Sequence, residues 1–230
     1  MKTFAEKAVR FYAGIKAPTG LPAGINVLNP YKDSPTKELV EAFMNKFFSD
    51  AKDRTLIIGI NPGRLGGGAT GVNFTDPKAL AEYCGIPNDL PRTHEVSSVF
   101  IYEVIKAYGG PEKFYGDFFL TAASALGLVN GKVNYNYYDD PKTAAAMTPF
   151  IIKSIEAYID FGGRRDAAIV LGTGKNYKFL SKLNEEKGFF KKLYPLEHPR
   201  FVMQYRSKRK GEYIQKYIET LSLCRKAFND

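Results

Sequence analysis

The glycine-rich stretch of residues 59–74 carries the side chains of this sequence that are best suited to chemistry. It reads Gly-Ile-Asn-Pro-Gly-Arg-Leu-Gly-Gly-Gly-Ala-Thr-Gly-Val-Asn-Phe and follows a short apolar run. Five glycines fall within the nine residues from Gly63 to Gly71. Glycine lets the backbone adopt positive φ and approach a ligand closely, but it loses the most chain entropy on folding. This density of glycine therefore favours a binding loop over a purely structural one.

Two phosphate-binding patterns fit the sequence poorly. Gly66, Gly68 and Gly71 match the dinucleotide pattern G-x-G-x-x-G, which normally begins directly after a strand and opens a helix. Here Pro62 and further residues separate it from the apolar run, and no helix start follows it. The phosphate-loop pattern also fails, because Lys175 is followed by asparagine instead of serine or threonine. These departures disfavour dinucleotide and nucleoside triphosphate chemistry.

A flat, uncharged ring is the ligand that the remaining side chains of the stretch suit best. Asn61 would present an amide at the end of the apolar run, and Phe74 would supply an aromatic face on the far side of the loop. An amide and an aromatic face together suit a nucleobase that has been taken out of its stack. Recognition of an extruded base is therefore the third and favoured interpretation of the loop.

The positive charge of the chain is concentrated near its carboxyl end. The sequence has 33 Lys and Arg against 24 Asp and Glu, a net charge of +9. Residues 1–163 hold 17 basic and 17 acidic residues, whereas residues 164–230 hold 16 and 7. Around residues 201–210 the basic side chains are interleaved with aromatic and other apolar ones. A basic field combined with stacking side chains favours a nucleic acid partner over a merely solvated helix face.

Cysteine content and hydropathy favour a reducing, aqueous compartment. Cys84 and Cys224 are too few for a disulfide framework, and two histidines add too little for a structural zinc site. The first ten residues carry four charges, unlike a secretion signal, and no apolar run approaches the ~18 residues of a spanning helix. We therefore expect a cytoplasmic protein without a membrane partner, associated with the nucleoid if its source is bacterial.

The elements that must position these side chains alternate between strands and helices. Short apolar runs predict strands at residues 55–60, 118–120, 168–171 and 193–196. Helical periodicity predicts helices at residues 2–13, 36–51, 96–108, 144–158, 175–186 and 211–227. This alternation predicts an α/β fold with three αβα layers around a central, mainly parallel four-stranded sheet, and ligands beyond the carboxyl ends of its strands. Chain length favours a single domain over residues 1–230.

Two motifs of this sequence resemble those of a known enzyme family. Residues 59–63 with 70–74, and His-Pro-Arg at residues 198–200, look like the two signature motifs of the uracil-DNA glycosylase superfamily. They are most similar to its single-strand-selective monofunctional branch, as is the strand and loop of residues 169–175. The resemblance covers roughly residues 55–215. It implies the fold of that superfamily and hydrolysis of the N-glycosidic bond of uracil in single- or double-stranded DNA.

The resemblance also implies roles for individual residues. Asn61 would hold the water that attacks the sugar, and His198 would donate a hydrogen bond to uracil O2 and stabilise the leaving base. Phe74 would stack on the base, and glycine at position 63 would leave room for a substituent at C5, so 5-hydroxymethyluracil is a second expected substrate. The expected substrate-binding residues are Ile60, Gly63, Phe74 and Asn134. The residues expected to bind DNA are Pro199, Arg200, Arg206, Lys208, Arg209 and Lys210.

One position departs from the pattern of that branch, which carries an asparagine on its second strand to read the uracil edge. Ala122 stands there in this chain, with Thr121 and Ser124 as the nearest polar residues. Asn134 or Asn136 could supply the contact from a neighbouring loop, or both could be turn residues. Alanine at position 122 therefore weakens the expectation that the protein is selective for uracil.

Two other classes of function stay open on the sequence. A non-catalytic DNA-binding module that keeps the fold would accommodate Ala122, and an enzyme acting on free nucleotides would not need the basic carboxyl-terminal region.

The resemblance implies a monomeric enzyme without a metal or an organic cofactor. Neither motif contains a lysine that could form a Schiff base, which favours a monofunctional enzyme, although Lys175 stays a candidate. His94 has no motif around it and is expected to be structural.

Overall fold

The computed structural model describes residues 2–226, in which strands alternate with helices. The strands are β1 (Ile25–Leu28), β2 (Arg54–Gly59), β3 (Phe118–Ala122), β4 (Gly127–Asn130), β5 (Val133–Tyr135), β6 (Gly163–Leu171) and β7 (Lys192–Leu196). The helices are α1 (Phe4–Gly14), α2 (Ser34–Phe47), α3 (Gly67–Thr70), α4 (Pro77–Glu82), α5 (Val96–Tyr108), α6 (Pro111–Asp117), α7 (Pro141–Gly162), α8 (Lys175–Lys187), α9 (Pro199–Tyr205) and α10 (Lys210–Lys226). Short 3-10 turns span Pro30–Lys32 and Ser207–Arg209.

Four strands form the central sheet, in the order β3-β2-β6-β7, and each neighbouring pair is parallel. All residues of β2 and β3 are buried, as are the last five residues of β6. Short apolar runs of this kind form strands that need cover on both faces of a sheet. The predicted α/β fold with a parallel four-stranded sheet is confirmed.

Two neighbouring residues of β3 show that helices cover both faces of this sheet. The ring of Phe119 packs against Phe4 of α1, with 4.9 Å between ring centroids, and against Tyr158 of α7. The ring of Phe118 packs against Tyr108 of α5, 5.4 Å away. Successive side chains of a strand point to opposite faces. Helices α1 and α7 therefore cover one face and α5 the other, which gives the predicted three layers.

The six predicted helices are all present, with ends that differ by up to four residues. The largest differences, four residues each, are in α7, which continues to Gly162 instead of ending at residue 158, and in α2, which ends at Phe47 instead of residue 51. Phe48 leaves the helix with φ −135°, and its carbonyl oxygen accepts a hydrogen bond from the N–H of Ala5 in α1 (2.9 Å). Ala227, the predicted last residue of the final helix, lies outside the described residues.

A second, antiparallel sheet of β1, β4 and β5 was not predicted from the sequence. Strands β4 and β5 form a hairpin whose two connecting residues are Gly131 and Lys132. Gly131 has φ +57° at the first central position, which is the conformation that such a tight turn requires. This small sheet packs closely on the glycine-rich loop, because a Cβ at Gly127 would lie 2.5 Å from the carbonyl oxygen of Pro62.

The carboxyl ends of the central strands face the segments that carry the sequence motifs. Strand β2 runs directly into the glycine-rich loop, and β7 ends two residues before His198. Between them, β6 leads into the loop before α8, where Asn176 ties the strand ends together by donating hydrogen bonds to the carbonyls of Gly59 (3.4 Å) and Leu171 (2.9 Å). Parallel strands thus bring the two motifs to one edge of the sheet. No helix within residues 2–226 combines the length and the apolar character that crossing a bilayer requires.

Candidate functional site

A cavity of about 290 Å³ opens at this edge of the sheet. Its volume is near the lower end of the range for small-molecule sites, roughly 300–1,000 Å³. The structure brings together here all the residues that the sequence analysis expected to be catalytic or to bind substrate: Ile60, Asn61, Gly63, Phe74, Asn134 and His198. The two motifs, which are far apart in sequence, therefore share one cavity.

Asn61 is held at the cavity wall by the main chain at the end of β5 and directly after it. Its Nδ2 donates to the carbonyl oxygen of Tyr135 (3.1 Å), and its Oδ1 accepts from the N–H of Tyr137 (3.3 Å). A main-chain carbonyl and a main-chain N–H fix which end of the amide is which. One N–H and one lone pair of the amide are left for a ligand or a water molecule.

His198 begins α9 as its N-cap residue. Its Nδ1 accepts a hydrogen bond from the N–H of Arg200 (3.2 Å), so in the neutral ring the proton is on Nε2. Burial, reinforced by the positive charge of Arg200, lowers the pKa of His198 to about 4. At neutral pH the ring is therefore an uncharged imidazole whose Nε2–H is a hydrogen-bond donor.

Phe74 lies beside His198, with 5.7 Å between the ring centroids. It is the single non-glycine residue with positive φ (+55°) within residues 2–226. Such a backbone conformation is unfavourable for a bulky side chain, and residues held in it cluster at functional sites. The ring also lies against the end of β2, where a Cβ at Gly59 would be 2.6 Å from it. Glycine at position 59 thus makes the space into which Phe74 is turned.

Asn134 lies in β5 and lines the cavity. Its Oδ1 accepts a hydrogen bond from the N–H of Arg64 (2.9 Å). This bond fixes the orientation of the amide and does not use its Nδ2 hydrogens. Nδ2 lies 3.5 Å from the position that a Cβ of Gly63 would take. Asn136 also lines the cavity, but its amide donates to the carboxylate of Asp139. Of the two candidates for reading a base edge, Asn134 has the freer amide.

Ala122, which stands where the branch carries its asparagine, belongs to the central sheet and not to the cavity wall. Ala122 is the last residue of β3 and pairs with Gly59 in the sheet, where it is fully buried. The hydroxyl of Ser124 donates to the carbonyl oxygen of Leu126 (2.6 Å) and closes a local turn. Among the described residues, those lining the cavity do not include Ala122, Thr121 or Ser124.

Glu95 is a cavity residue that sequence reasoning missed. It immediately precedes α5, and its side chain extends towards the glycine-rich loop instead of capping its own helix. Burial, reinforced by the carboxylate of Asp76 and opposed in part by Arg200, raises the pKa of Glu95 to about 7. Residues 93–98 have only the pattern of a helix start, and an isolated glutamate in such a pattern gives no further signal.

The residues expected to bind DNA lie on and after α9, and they differ in their contacts. Pro199 is buried in the first turn of α9, while Arg200 is exposed and lines the cavity. The guanidinium of Arg206 lies over the ring of Phe201, 5.5 Å from its centroid. Phe201 and Tyr205 are themselves exposed, with rings 5.5 Å apart. Aromatic and cationic groups thus form one surface beside the cavity.

The last three of these cations are not equally available. Lys208 is exposed and has no ion pair with any described residue. Arg209 pairs with Glu212 (2.6 Å) in an exposed bridge within one helical turn. Lys210 pairs with Glu103 (2.6 Å) and so joins α10 to α5. A phosphate contact by Arg209 or Lys210 would have to compete with a carboxylate.

A groove of about 550 Å³ continues from the cavity past Glu95. Arg64, Lys132 and Arg200 line it, so it is cationic, and the first two were not expected to contribute. His94, expected to be structural, is exposed on this groove. Within residues 2–226, no group of three His, Cys, Asp or Glu side chains is placed to hold a metal ion.

Comparison with known proteins identifies the family of this chain and a closely similar solved structure. The model of the uracil DNA glycosylase superfamily matches residues 46–222. The crystal structure of wild-type SMUG2 from Pedobacter heparinus is 46% identical in sequence, covers 97% of this chain and 99% of its own, and superposes with a TM-score of 0.94. A search of curated proteins found no match.

Proposed function

The chain belongs to the uracil-DNA glycosylase superfamily, and from this premise we propose that it hydrolyses the N-glycosidic bond of uracil in DNA without a lyase step. The observation that carries the proposal is the meeting of Asn61, Phe74 and His198 in one cavity of base size. An aromatic face, an oriented amide and an uncharged imidazole donor are the groups that an extruded pyrimidine needs.

In the proposed reaction a water molecule attacks C1′ of the deoxyribose. The bond between water oxygen and C1′ forms, the bond between C1′ and N1 breaks, and its electron pair leaves with the uracil anion. Asn61 holds the water through the part of its amide that the main chain leaves free. An amide is not a base, so the proton of the water passes to solvent as the oxocarbenium-like sugar collapses to product.

His198 stabilises the negative charge that develops on the leaving base. Its Nε2–H donates to O2 of uracil, and its position is fixed by the hydrogen bond that Nδ1 receives from Arg200. A donor that is already oriented in a desolvated site loses little free energy to reorganisation as charge develops. Because the ring is uncharged at neutral pH, the donor works throughout the physiological range.

Other residues that line the cavity provide the remaining contacts to the base. Phe74 stacks on the base, Ile60 lines the cavity beside it, and the free amide hydrogens of Asn134 read its polar edge in place of the asparagine absent at Ala122. Gly63 presents no side chain towards C5, so 5-hydroxymethyluracil is a second proposed substrate.

DNA is the proposed partner, bound along α9 and the residues after it. Lys208 and Arg206 would contact phosphates directly, and Arg200 would hold the backbone at the entrance of the cavity. We propose a monomer that acts through one domain in the cytoplasm, at the nucleoid in a bacterium. The two buried, free thiols of Cys84 and Cys224 support a reducing compartment.

A base-release assay tests the proposed function. Oligonucleotides with one uracil, 5-hydroxymethyluracil, hypoxanthine or xanthine, single- and double-stranded, are incubated with wild-type protein and abasic sites are cleaved with alkali. Uracil release is the expected result. Uracil left intact in both kinds of strand by folded wild-type protein would show that the proposal is wrong.

A non-catalytic DNA-binding module is the second candidate, favoured by one observation. Both ends of the Asn61 amide already hydrogen-bond to main-chain groups of Tyr135 and Tyr137, at and after the end of β5, as those of a purely structural asparagine would. Tight, salt-sensitive binding without abasic product over a long incubation would favour this candidate. An enzyme of free nucleotides would instead keep full turnover when the charges of Lys208 and Arg209 are reversed.

A further inference from the structure

The carboxyl group of Glu95 fills the space next to two glycines of the glycine-rich loop. Its Oε1 lies 2.9 Å from the position that a Cβ of Gly63 would take. Its Oε2 lies so close to Gly66 that a Cβ there would overlap it. These two glycines therefore make room for the glutamate, and the wall of the cavity at this point is a carboxyl group.

Neighbouring residues hold the main chain of Glu95 but leave its side chain without a partner. The N–H of Glu95 donates to Oδ2 of Asp76 (3.1 Å), and the other oxygen of Asp76 caps α4. Neither oxygen of the Glu95 carboxyl has a hydrogen bond within residues 2–226, and Oε2 is shielded from solvent. A buried polar atom without a partner is costly and is rare in folded proteins. In a cavity wall, such a carboxyl group offers a hydrogen-bonding position to a ligand or a water molecule, and Oε1, beside Gly63, is the oxygen that is not fully shielded.

We propose that Glu95 is a specificity residue, which favours bases that carry a hydrogen-bond donor on the side facing Gly63 and rejects bases with an apolar substituent there. This inference rests on the proposed function, in which the C5 side of the base faces Gly63. The hydroxyl of a 5-hydroxymethyl group would hydrogen-bond to the Glu95 carboxyl. The methyl group of thymine would cover the same carboxyl and leave it unpaired.

Thymine is the normal base that such an enzyme must leave in DNA, and glycine at position 63 has no side chain of its own to exclude the C5 methyl group. The group that a methyl on this side would meet is the carboxyl of Glu95. A site built to hydrogen-bond a hydroxyl discriminates strongly against an analogue that lacks it, because its own polar group is then buried without a partner. The polar carboxyl of Glu95 thus provides the selectivity against a C5 methyl group that a bulky side chain at position 63 would provide by its shape.

The test compares kcat/KM for uracil, 5-hydroxymethyluracil and thymine, each at the same position of one oligonucleotide sequence. The proteins are wild type, Glu95→Met, which is similar in length but apolar, and Glu95→Gln, which keeps an acceptor. Glu112→Met is the matched control, because Glu112 is an exposed glutamate in the first turn of α6, outside the cavity. Circular dichroism and thermal melting establish that each variant is folded.

We expect Glu95→Met to lower the ratio of 5-hydroxymethyluracil to uracil release about tenfold, the effect of one lost hydrogen bond to a buried group, and to raise the ratio of thymine to uracil release. Glu95→Gln should restore most of the first ratio, and Glu112→Met should change neither. Unchanged ratios in Glu95→Met would overturn the inference. A loss shared equally by all substrates would also overturn it, since that result assigns Glu95 to the chemical step. Absence of uracil release by wild type overturns the proposed function itself, and the inference with it.

Discussion

Nδ1 of His198 accepts a hydrogen bond from the main-chain N–H of Arg200, two residues further along the chain. The bond caps α9 and at the same time leaves the ring proton on Nε2. Pro199 between them is suited to the first position of a helix, where no N–H is needed. The His-Pro-Arg motif therefore builds the helix start and sets the tautomer of its histidine with one interaction.

The first prediction concerns this donor. His198→Asn keeps a side chain that caps helices well but is too short to reach the base, so the fold should persist. We expect kcat for uracil release to fall about 100- to 1,000-fold, as for loss of one oriented donor, with little change in DNA affinity. Single-turnover kinetics and fluorescence anisotropy measure the two effects. The control is His94→Asn, and an equal loss in that variant would contradict the assignment.

The second prediction separates the two roles of Asn61. Asn61→Ala removes the water-holding amide and both of its hydrogen bonds to the main chain of Tyr135 and Tyr137. We expect base release to be lost, while DNA binding is kept and the free energy of unfolding falls by about 1–3 kcal/mol. Urea denaturation measures the second effect. Asn26→Ala, which removes an exposed amide of β1, is the control. Base release at the wild-type rate would leave Asn61 with a structural role alone.

The third prediction is that Gly59 acts through Phe74. A Cβ at position 59 would lie 2.6 Å from the Phe74 ring, so Gly59→Ala should displace the ring from the base. Gly59→Ala and Phe74→Ala should each reduce kcat/KM about 10- to 100-fold, the range for one lost stacking contact. The double variant should lose little more, because both changes remove the same contact. Gly14→Ala, which has open space around it, is the control. Additive losses would indicate independent roles.

The fourth prediction uses the unequal pairing of the cations after α9. Lys208 has no ion pair within the described part of the chain, whereas Arg209 is held by Glu212. Each phosphate contact adds about one unit to the slope of log affinity against log salt. Lys208→Ala should therefore lower that slope by about 1 and Arg209→Ala by less. Binding titrations at salt concentrations from about 50 to about 200 mM provide the measurement. Equal slopes in the two variants would show that the Glu212 pair does not limit Arg209.

The central sheet and the position of the cavity could be predicted from the sequence because strong, local signals determine them. Short apolar runs such as residues 55–60 have few alternatives to a buried parallel strand, and parallel strands bring their carboxyl ends to one edge. Asn61 and His198 could then be placed at that edge. Their meeting in one cavity is a consequence of the strand order β2-β6-β7.

The small sheet and Glu95 could not be predicted in the same way. Strands β4 and β5 have only four and three residues, too few for an alternating pattern to stand out, although Gly131 marks their turn. The importance of Glu95 comes from a long-range contact with Gly63 and Gly66, and no periodicity records such a contact. The glycines were visible in the sequence as a binding loop, but the side chain for which two of them make room was not.

The last prediction concerns the effect of Glu95 on stability, which follows from the direction of its pKa shift. Burial and the carboxylate of Asp76 raise the pKa to about 7, while the facing cation Arg200 opposes them. The other charged or titratable groups on the adjoining groove are Arg64, His94 and Lys132. Since the folded chain binds the proton more tightly than the unfolded chain, the stabilising contribution of protonated Glu95 is complete below pH 4.5 and is lost as the pH rises through about 7.

Glu95→Gln, which cannot ionise, should therefore become more stable than wild type as the pH increases. The difference in the free energy of unfolding should grow between about pH 4.5 and 7 and then level off near 3 kcal/mol, the equivalent of a shift from 4.5 to about 7. Urea denaturation of both proteins at a series of pH values measures it, and Glu112→Gln controls for loss of one negative charge. Because His198 is present in wild type and variant alike, its own titration largely cancels. A difference that stays constant with pH would mean that Glu95 is solvated in the folded protein, and the unpaired carboxyl on which its selectivity depends would then be absent.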